Sequence, residues 1–388
     1  MTGKKSFSFE SLRSRFHVSM AGVDPVILIL TAGLVIFGLV MVYSSSFIFA
    51  QERTGSGFSF IFKQLIFAVI GAGALVCAAQ IPYQKWKQWA YPLLGSAAFL
   101  LLLVLIPGIG AKSGGAQRWV GLGGLRFQPS EWAKFVALVF IARQLTVKQA
   151  ILHRFLPSVG SVFLLLLPLF GLLLLQPDFG STMVIVGVAF IMLFLAGVPM
   201  GFIGGMLTIG ASAAALLVMS SSYRRARVMT FLDPWQDPSG KGFQVLQSMV
   251  GLHSGSITGV GLGNGKEKLL FLPEAHNDFI FSVIGEELGF VGVAAVIVCF
   301  LIFVHRGLMV AMRCKENRGD YFGMLLAAGI TLILALQGMI NMAVVMGLVP
   351  TKGLALPFIS YGGSALVVDL FAVGVLLNIS RESSGKVA

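Results

Sequence analysis

The sequence predicts an all-α polytopic membrane protein of about ten transmembrane helices with one large extracytoplasmic loop. Two observations predict it. Hydrophobic residues make up 56 % of the 388 positions and charged residues only 11 %, against roughly 25 % charged in soluble domains. The apolar residues also gather in runs near the ~20 needed to cross hydrocarbon, and mean hydropathy is +0.89. So few charges cannot cover that much apolar surface in water. A soluble enzyme, a coiled coil and a disordered chain are therefore excluded.

The runs, in order, are 25–46, 62–81, 89–107, 128–146, 155–175, 180–197, 199–219, 279–304, 321–346 and 359–379. The first, from Val26 to Tyr43, exceeds the 7–15 apolar residues of a secretory signal, so the N-terminus reads as retained. The fourth is the weakest because it carries Glu131 and Lys134. The sixth and seventh are parted only by Gly197-Val198-Pro199-Met200. The whole chain, 1–388, reads as one transmembrane domain, with tails 1–24 and 380–388 and the large loop at 220–278.

An even number of spans puts both termini on one side. That side holds 15 Lys and Arg, whereas the short segments opposite hold 6. Cytoplasmic loops carry the excess of Lys and Arg, and long loops count little, so both termini are expected to be cytoplasmic. The net charge of +12 follows from this bias and from anionic headgroups. No nucleic-acid motif is present, and none is expected as a partner. Cys77, Cys299 and Cys314 suggest neither a disulfide framework nor a metal site.

The polar groups of interest lie toward the external face. The loop opens with Arg224, Arg225 and Arg227, which suit either lipid headgroups or bidentate pairing with a phosphate. The stretch 231–244, with two Asp-Pro pairs and paired glycines, reads as consecutive turns. Gly259 to Lys266 is glycine-rich but matches no phosphate-loop spacing; it reads as a hairpin delivering Lys268. Then Pro273-Glu274-Ala275-His276-Asn277-Asp278 leads into the eighth span. Asp278 there is either a helix N-cap or a general base at the water–membrane boundary.

Within the spans, ionisable residues are costly and point to function by default. Glu131 and Lys134 share a helix face, either as a site or as an ion pair holding the bundle. Arg118 precedes them at the outer interface. Asp178, at an outer turn, can cap the sixth span. Glu286 stands eight residues beyond Asp278, an expected common face. Gln337 and Asn341, four apart, read as interhelical glue. Lys352 and Ser360 sit in a re-entrant-looking turn between Gly347 and Ser364.

Four segments together resemble the SEDS family (shape, elongation, division and sporulation) of bacterial peptidoglycan polymerases. They are Ala116-Gln117-Arg118-Trp119 with Phe127-Gln128-Pro129-Ser130-Glu131; Gln176-Pro177-Asp178-Phe179-Gly180; Asp233-Pro234-Trp235 through Phe279-Ile280-Phe281; and Pro350-Thr351-Lys352-Gly353 with Leu356 to Ser364. Lys268 and Pro273 to His276 resemble the division branch more than the elongation branch. Asn277 departs from the Thr common in the family, and Asp369, inside the tenth span, has no account from the sequence.

The resemblance implies a glycosyltransferase acting on lipid II at the outer face of the bacterial cytoplasmic (inner) membrane, at the division septum. Asp278 matches the family's essential carboxylate. It would take a proton from the acceptor 4-hydroxyl, which attacks the donor with inversion. Cations among Arg118, Lys134, Arg224, Arg225 and Arg227 would meet the leaving diphosphate. Glu131, Asp178, Lys268, Glu274, His276, Lys352 and Ser360 complete the expected substrate-binding set. A divalent cation such as Mg or Mn is compatible with the task, though no ligand cluster demands one. The implied partners are a class B penicillin-binding transpeptidase and other division proteins. The alternatives are a lipid II flippase, drawing on Glu131 and Lys134, and a non-enzymatic division scaffold.

Overall fold

The computed structural model describes residues 22–113, 116–122, 125–220, 225, 229, 231–236, 242–268, 275–350 and 353–384. Among them, ten long helices follow the ten apolar runs. These are α1 (Pro25–Thr54), α2 (Ser59–Gln80), α3 (Gln84–Leu105), α4 (Pro129–Val147), α5 (Ser161–Leu175, preceded by a π-turn), α6 (Phe179–Leu195) and α7 (Met200–Met219), followed after the long loop by α9 (Ile280–Arg318), α10 (Tyr321–Val345) and α11 (Gly363–Ser384). The loop between α7 and α9 holds a further helix, α8 (Phe243–Ser254), packed on α9.

Aspartates start three of these helices. Asp24 accepts from the Val26 and Ile27 amides and pairs with Arg306 at 2.7 Å, which ties the head of α1 to α9. Asp178 accepts from Ser181 N, and Asp320 from Phe322 N. Each carboxylate satisfies amide donors that the first helical turn leaves open. The Tyr83 hydroxyl donates to Asp320 at 2.5 Å, so the α2–α3 corner is held against the start of α10.

Burial sorts the helices into a core and a rim. Seven meet the length and hydropathy of a membrane span. α4 does not, yet 15 of its 19 residues are buried. It contacts α3, α6, α10 and α11. Its polar side chains therefore face protein, which is where such groups are tolerated at membrane depth. α10 and α11 are also mostly enclosed, whereas α1, α2 and α3 present apolar faces outward.

Two features were absent from the sequence reading. Residues 110–127 form a small antiparallel sheet, β1 (Gly110–Ser113), β2 (Ala116–Leu122) and β3 (Leu125–Phe127), between α3 and α4. It leaves the all-α class unchanged. The second is a break near the head of α9. Gly289 has φ 65° and ψ −163°, a region essentially closed to residues with a Cβ. The loop at 256–261 fills the break. Val260 N and Gly261 N donate to Glu286 O and Glu287 O, while Phe290 N and Val291 N donate to Ser256 O and Ile257 O. Four backbone groups freed by the break thus find partners in the loop, as burial requires. Residues 280–288 become a short separate helical segment directly after Asp278.

Candidate functional site

Asp278 lies before the first turn of α9. The cap position falls on Phe279, which makes no side-chain cap bond; Asp278 is not the capping residue. Its side chain is half-buried. The backbone leading to it is irregular, so its carbonyls need partners from elsewhere. They find them in three successive bonds. Tyr361 N donates to His276 O at 3.0 Å, Ser360 Oγ donates to Asn277 O at 2.7 Å, and Asn341 Nδ2 donates to Asp278 O at 2.7 Å. The re-entrant turn before α11 is thereby stitched along residues 276–278.

That turn is itself fixed. Leu356 N donates to Ser360 Oγ, Asn341 Nδ2 also reaches Leu354 O, and Gln337 Nε2 donates to Ala355 O. Gln64 Nε2 donates to Ser360 O from α2. Gly353 presses on the carboxylate from the same turn: a Cβ there would stand 2.8 Å from Asp278 Oδ2.

The intramembrane ion pair exists. Lys134 Nζ lies 2.7 Å from Glu131 Oε2, both side chains are buried, and Lys134 also donates to Gln337 Oε1. Asp369, buried on α11, interacts electrostatically with both members of the pair. Arg118, on β2, donates from Nε to Gln176 O and from Nη2 to Pro177 O. It clamps the turn that delivers Asp178, whose carboxylate takes Ser181 N and Oγ.

Lys268 sits apart from this group. It is buried against Glu287 at 2.6 Å and Ser44 at 3.2 Å, joining the loop to α1 and to the segment before Gly289. The expected common face for Asp278 and Glu286 does not form, because Asp278 precedes the helix. Glu286 instead accepts the Lys266 and Glu267 amides. His276 is buried within a ring of Phe49, Phe60 and Tyr361, at centroid distances of 4.9–5.5 Å. Arg225 is exposed. Arg224, Arg227, Glu274 and Lys352 lie outside the described residues. Among the described residues, no three His, Cys, Asp or Glu gather to hold a metal ion.

The sequence reading treated Gln337 and Asn341 as generic glue. Their i,i+4 spacing was the available signal, and their partners turn out to be the carbonyls around Asp278.

A family model described as "Cell cycle protein", covering FtsW, RodA and SpoVE, matches residues 25–385. The chain belongs to the FtsW/RodA/SpoVE family. The "Probable peptidoglycan glycosyltransferase FtsW" of Geobacter metallireducens is 46 % identical over 362 residues, 93 % of this chain and 96 % of that protein. "Stage V sporulation protein E" of Bacillus subtilis is 40 % identical over 364 residues, covering 93 % and 97 %. Among solved structures, a chain from "Structural coordination of polymerization and crosslinking by a peptidoglycan synthase complex" superposes with TM-score 0.74 at 32 % identity, covering 93 % of this chain and 98 % of that one. "Rod shape determining protein RodA" of Thermus thermophilus does so with TM-score 0.68 at 28 % identity, covering 93 % and 97 %. The FtsW/RodA/SpoVE match spans all ten long helices and every residue of the Asp278 constellation.

In the long loop, one carboxyl of the family member is tuned toward neutrality. Glu267, in the loop beside α8, is buried, with Gln247 donating to Oε1 and, among the described residues, no hydrogen-bond partner for Oε2. Burial first, and the Glu286 carboxylate second, push its pKa from 4.5 up to about 7. A raised carboxyl pKa favours the protonated folded form, so the folded state loses stability as pH climbs from about 4.5 through about 7. Glu267→Gln removes that loss. Melting temperatures in detergent should show the variant gaining on wild type across this window and holding a constant lead above it. Parallel curves at every pH would contradict the assignment.

Proposed function

We propose that the chain is a peptidoglycan glycosyltransferase that polymerises lipid II at the outer face of the bacterial cytoplasmic membrane during division, with Asp278 as general base. The observation that carries this reading is the half-buried Asp278, whose main chain is bound at the junction of the long loop, the re-entrant turn and α10. The names of the FtsW relatives support the reaction class.

Asp278 takes the proton from the 4-hydroxyl of the acceptor sugar. That oxygen attacks C1 of the donor, and the lipid diphosphate departs from the opposite face with inversion. A single carboxylate, with no obvious second nucleophile beside it among the described residues, suits one direct displacement. The leaving group gains negative charge, so preorganised cations favour departure. Arg118 suits that role: two of its donors are anchored on the Gln176 and Pro177 carbonyls, which orients the rest of a five-donor guanidinium. Arg224, Arg225 and Arg227 supply further charge from the loop. Glu131, Lys134, Asp178, Lys268, Glu274, His276, Lys352 and Ser360 line or brace the substrate path. In this reading Lys268, His276 and Ser360 act by bracing, since each is engaged within the protein.

Both termini, including 1–24 and 380–388, are cytoplasmic and loop 220–278 is external, by the Lys and Arg asymmetry. The crosslinking partner is a class B penicillin-binding transpeptidase at the septum. The complex named for polymerization and crosslinking, whose chain this one resembles, supports that pairing. The flippase alternative draws on Glu131 and Lys134. Their mutual pairing and the Lys134–Gln337 bond favour a structural tie over a translocation path.

With purified lipid II, Asp278→Ala should make no glycan polymer while keeping wild-type expression and melting; polymer at the wild-type rate sinks the reading. Gly353→Ala tests the geometry more finely. The new methyl meets the far end of the Asp278 side chain rather than backbone, so the fold should tolerate it. The displaced carboxylate should slow polymerisation by about 10²-fold. An unchanged rate would mean that the Asp278 position is immaterial.

A further inference from the structure

Gln337 and Asn341 stand one turn apart on α10, and both are buried. Each donates to a carbonyl of the same re-entrant segment, Gln337 to Ala355 O at 3.0 Å and Asn341 to Leu354 O at 2.6 Å. Their remaining contacts diverge. Gln337 Oε1 accepts from Lys134 Nζ, and Asn341 Nδ2 donates a second bond to Asp278 O. The partners settle both amide orientations. An ammonium requires the Gln337 oxygen, and two carbonyls require the Asn341 nitrogen.

We infer that Gln337 and Asn341 are positioning residues, which hold the main chain of Asp278 in register with the Glu131–Lys134 pair through residues 354–355. The inference rests on the reading of Asp278 as the base. Neither amide needs to touch substrate. Asn341 is the tighter link, because one nitrogen bridges two segments of irregular backbone, at Asp278 O and at Leu354 O. Without it, both carbonyls lose this donor, and the segments shift to replace it. A shift of about 1 Å at a reacting group is enough to cost about 10² in rate.

The test uses the full-length protein, purified lipid II and separate kcat and KM values. Asn341→Leu should melt below wild type yet stay folded at the assay temperature, and lose about 10²-fold in kcat, with KM changed by less than about twofold. Asn341→Ser, which keeps one donor, should recover part of the loss. Gln337→Leu should lower kcat by a smaller factor, and the double variant should fall short of the product of the single effects. If Asn341→Leu cannot be recovered folded, Asn341→Ser and Gln337→Leu carry the same comparison. A kcat within about threefold of wild type for Asn341→Leu, or a loss confined to KM, overturns the inference. Inactive Asp278→Asn with fully active Asn341→Leu removes the positioning role alone. Fully active Asp278→Asn removes the base and this role together.

Discussion

Three consecutive carbonyls, those of His276, Asn277 and Asp278, must be satisfied where no regular helix or sheet can do it. Everything at the site follows from how this is solved. Backbone polar groups withdrawn from water must be met by protein groups, and irregular backbone has no regular partner of its own. Tyr361 N, Ser360 Oγ and Asn341 Nδ2 meet these carbonyls in turn. The re-entrant turn is therefore the structural complement of the Asp278 segment, and each makes the other possible. The same bonds that satisfy the backbone also fix where the carboxylate can be.

The polar residues of the bundle fit this scheme. Lys134 is paired with Glu131 and shares Gln337 with the turn at Ala355. Lys268 is paired with Glu287 and bound to Ser44. Arg118 spends two donors on carbonyls of the turn before α6. Lys134 and Lys268 thus tie an irregular connection to a helix, and Arg118 ties one to the small sheet. The plug of loop 256–261 in the α9 break follows the same rule with backbone groups alone. The end of the bundle that holds Asp278 is accordingly built from interlocked loops, while the helices carry the apolar load.

Much of the fold was legible in the sequence because length and hydropathy act locally. Each apolar run became a helix, and even α4, whose charges weakened its signal, is a helix sheltered by its neighbours. Asp178 as a cap and Glu131 with Lys134 as an ion pair were also legible, since each depends on residues three or four apart. Nonlocal partners were not. Asp278 was a plausible cap until its position two residues before the helix placed it elsewhere. Glu286 appeared to share its face only on the assumption that the helix already includes Asp278. The amides of Gln337 and Asn341 carried no hint of which carbonyls they would meet, because residues 354, 355 and 278 reach them only in the folded chain. The sheet at 110–127 was hidden by its short strands. Asp369, without account in the sequence, joins the charges around Glu131 and Lys134.

The most direct test of the account is a structure of the full chain holding a donor and an acceptor lipid II analogue that cannot react. The acceptor 4-hydroxyl should lie within about 3.2 Å of an Asp278 carboxylate oxygen, with the 276–278 carbonyls still bound to Tyr361, Ser360 and Asn341. An acceptor seated away from Asp278, or a bound state in which those three bonds have opened, would contradict it.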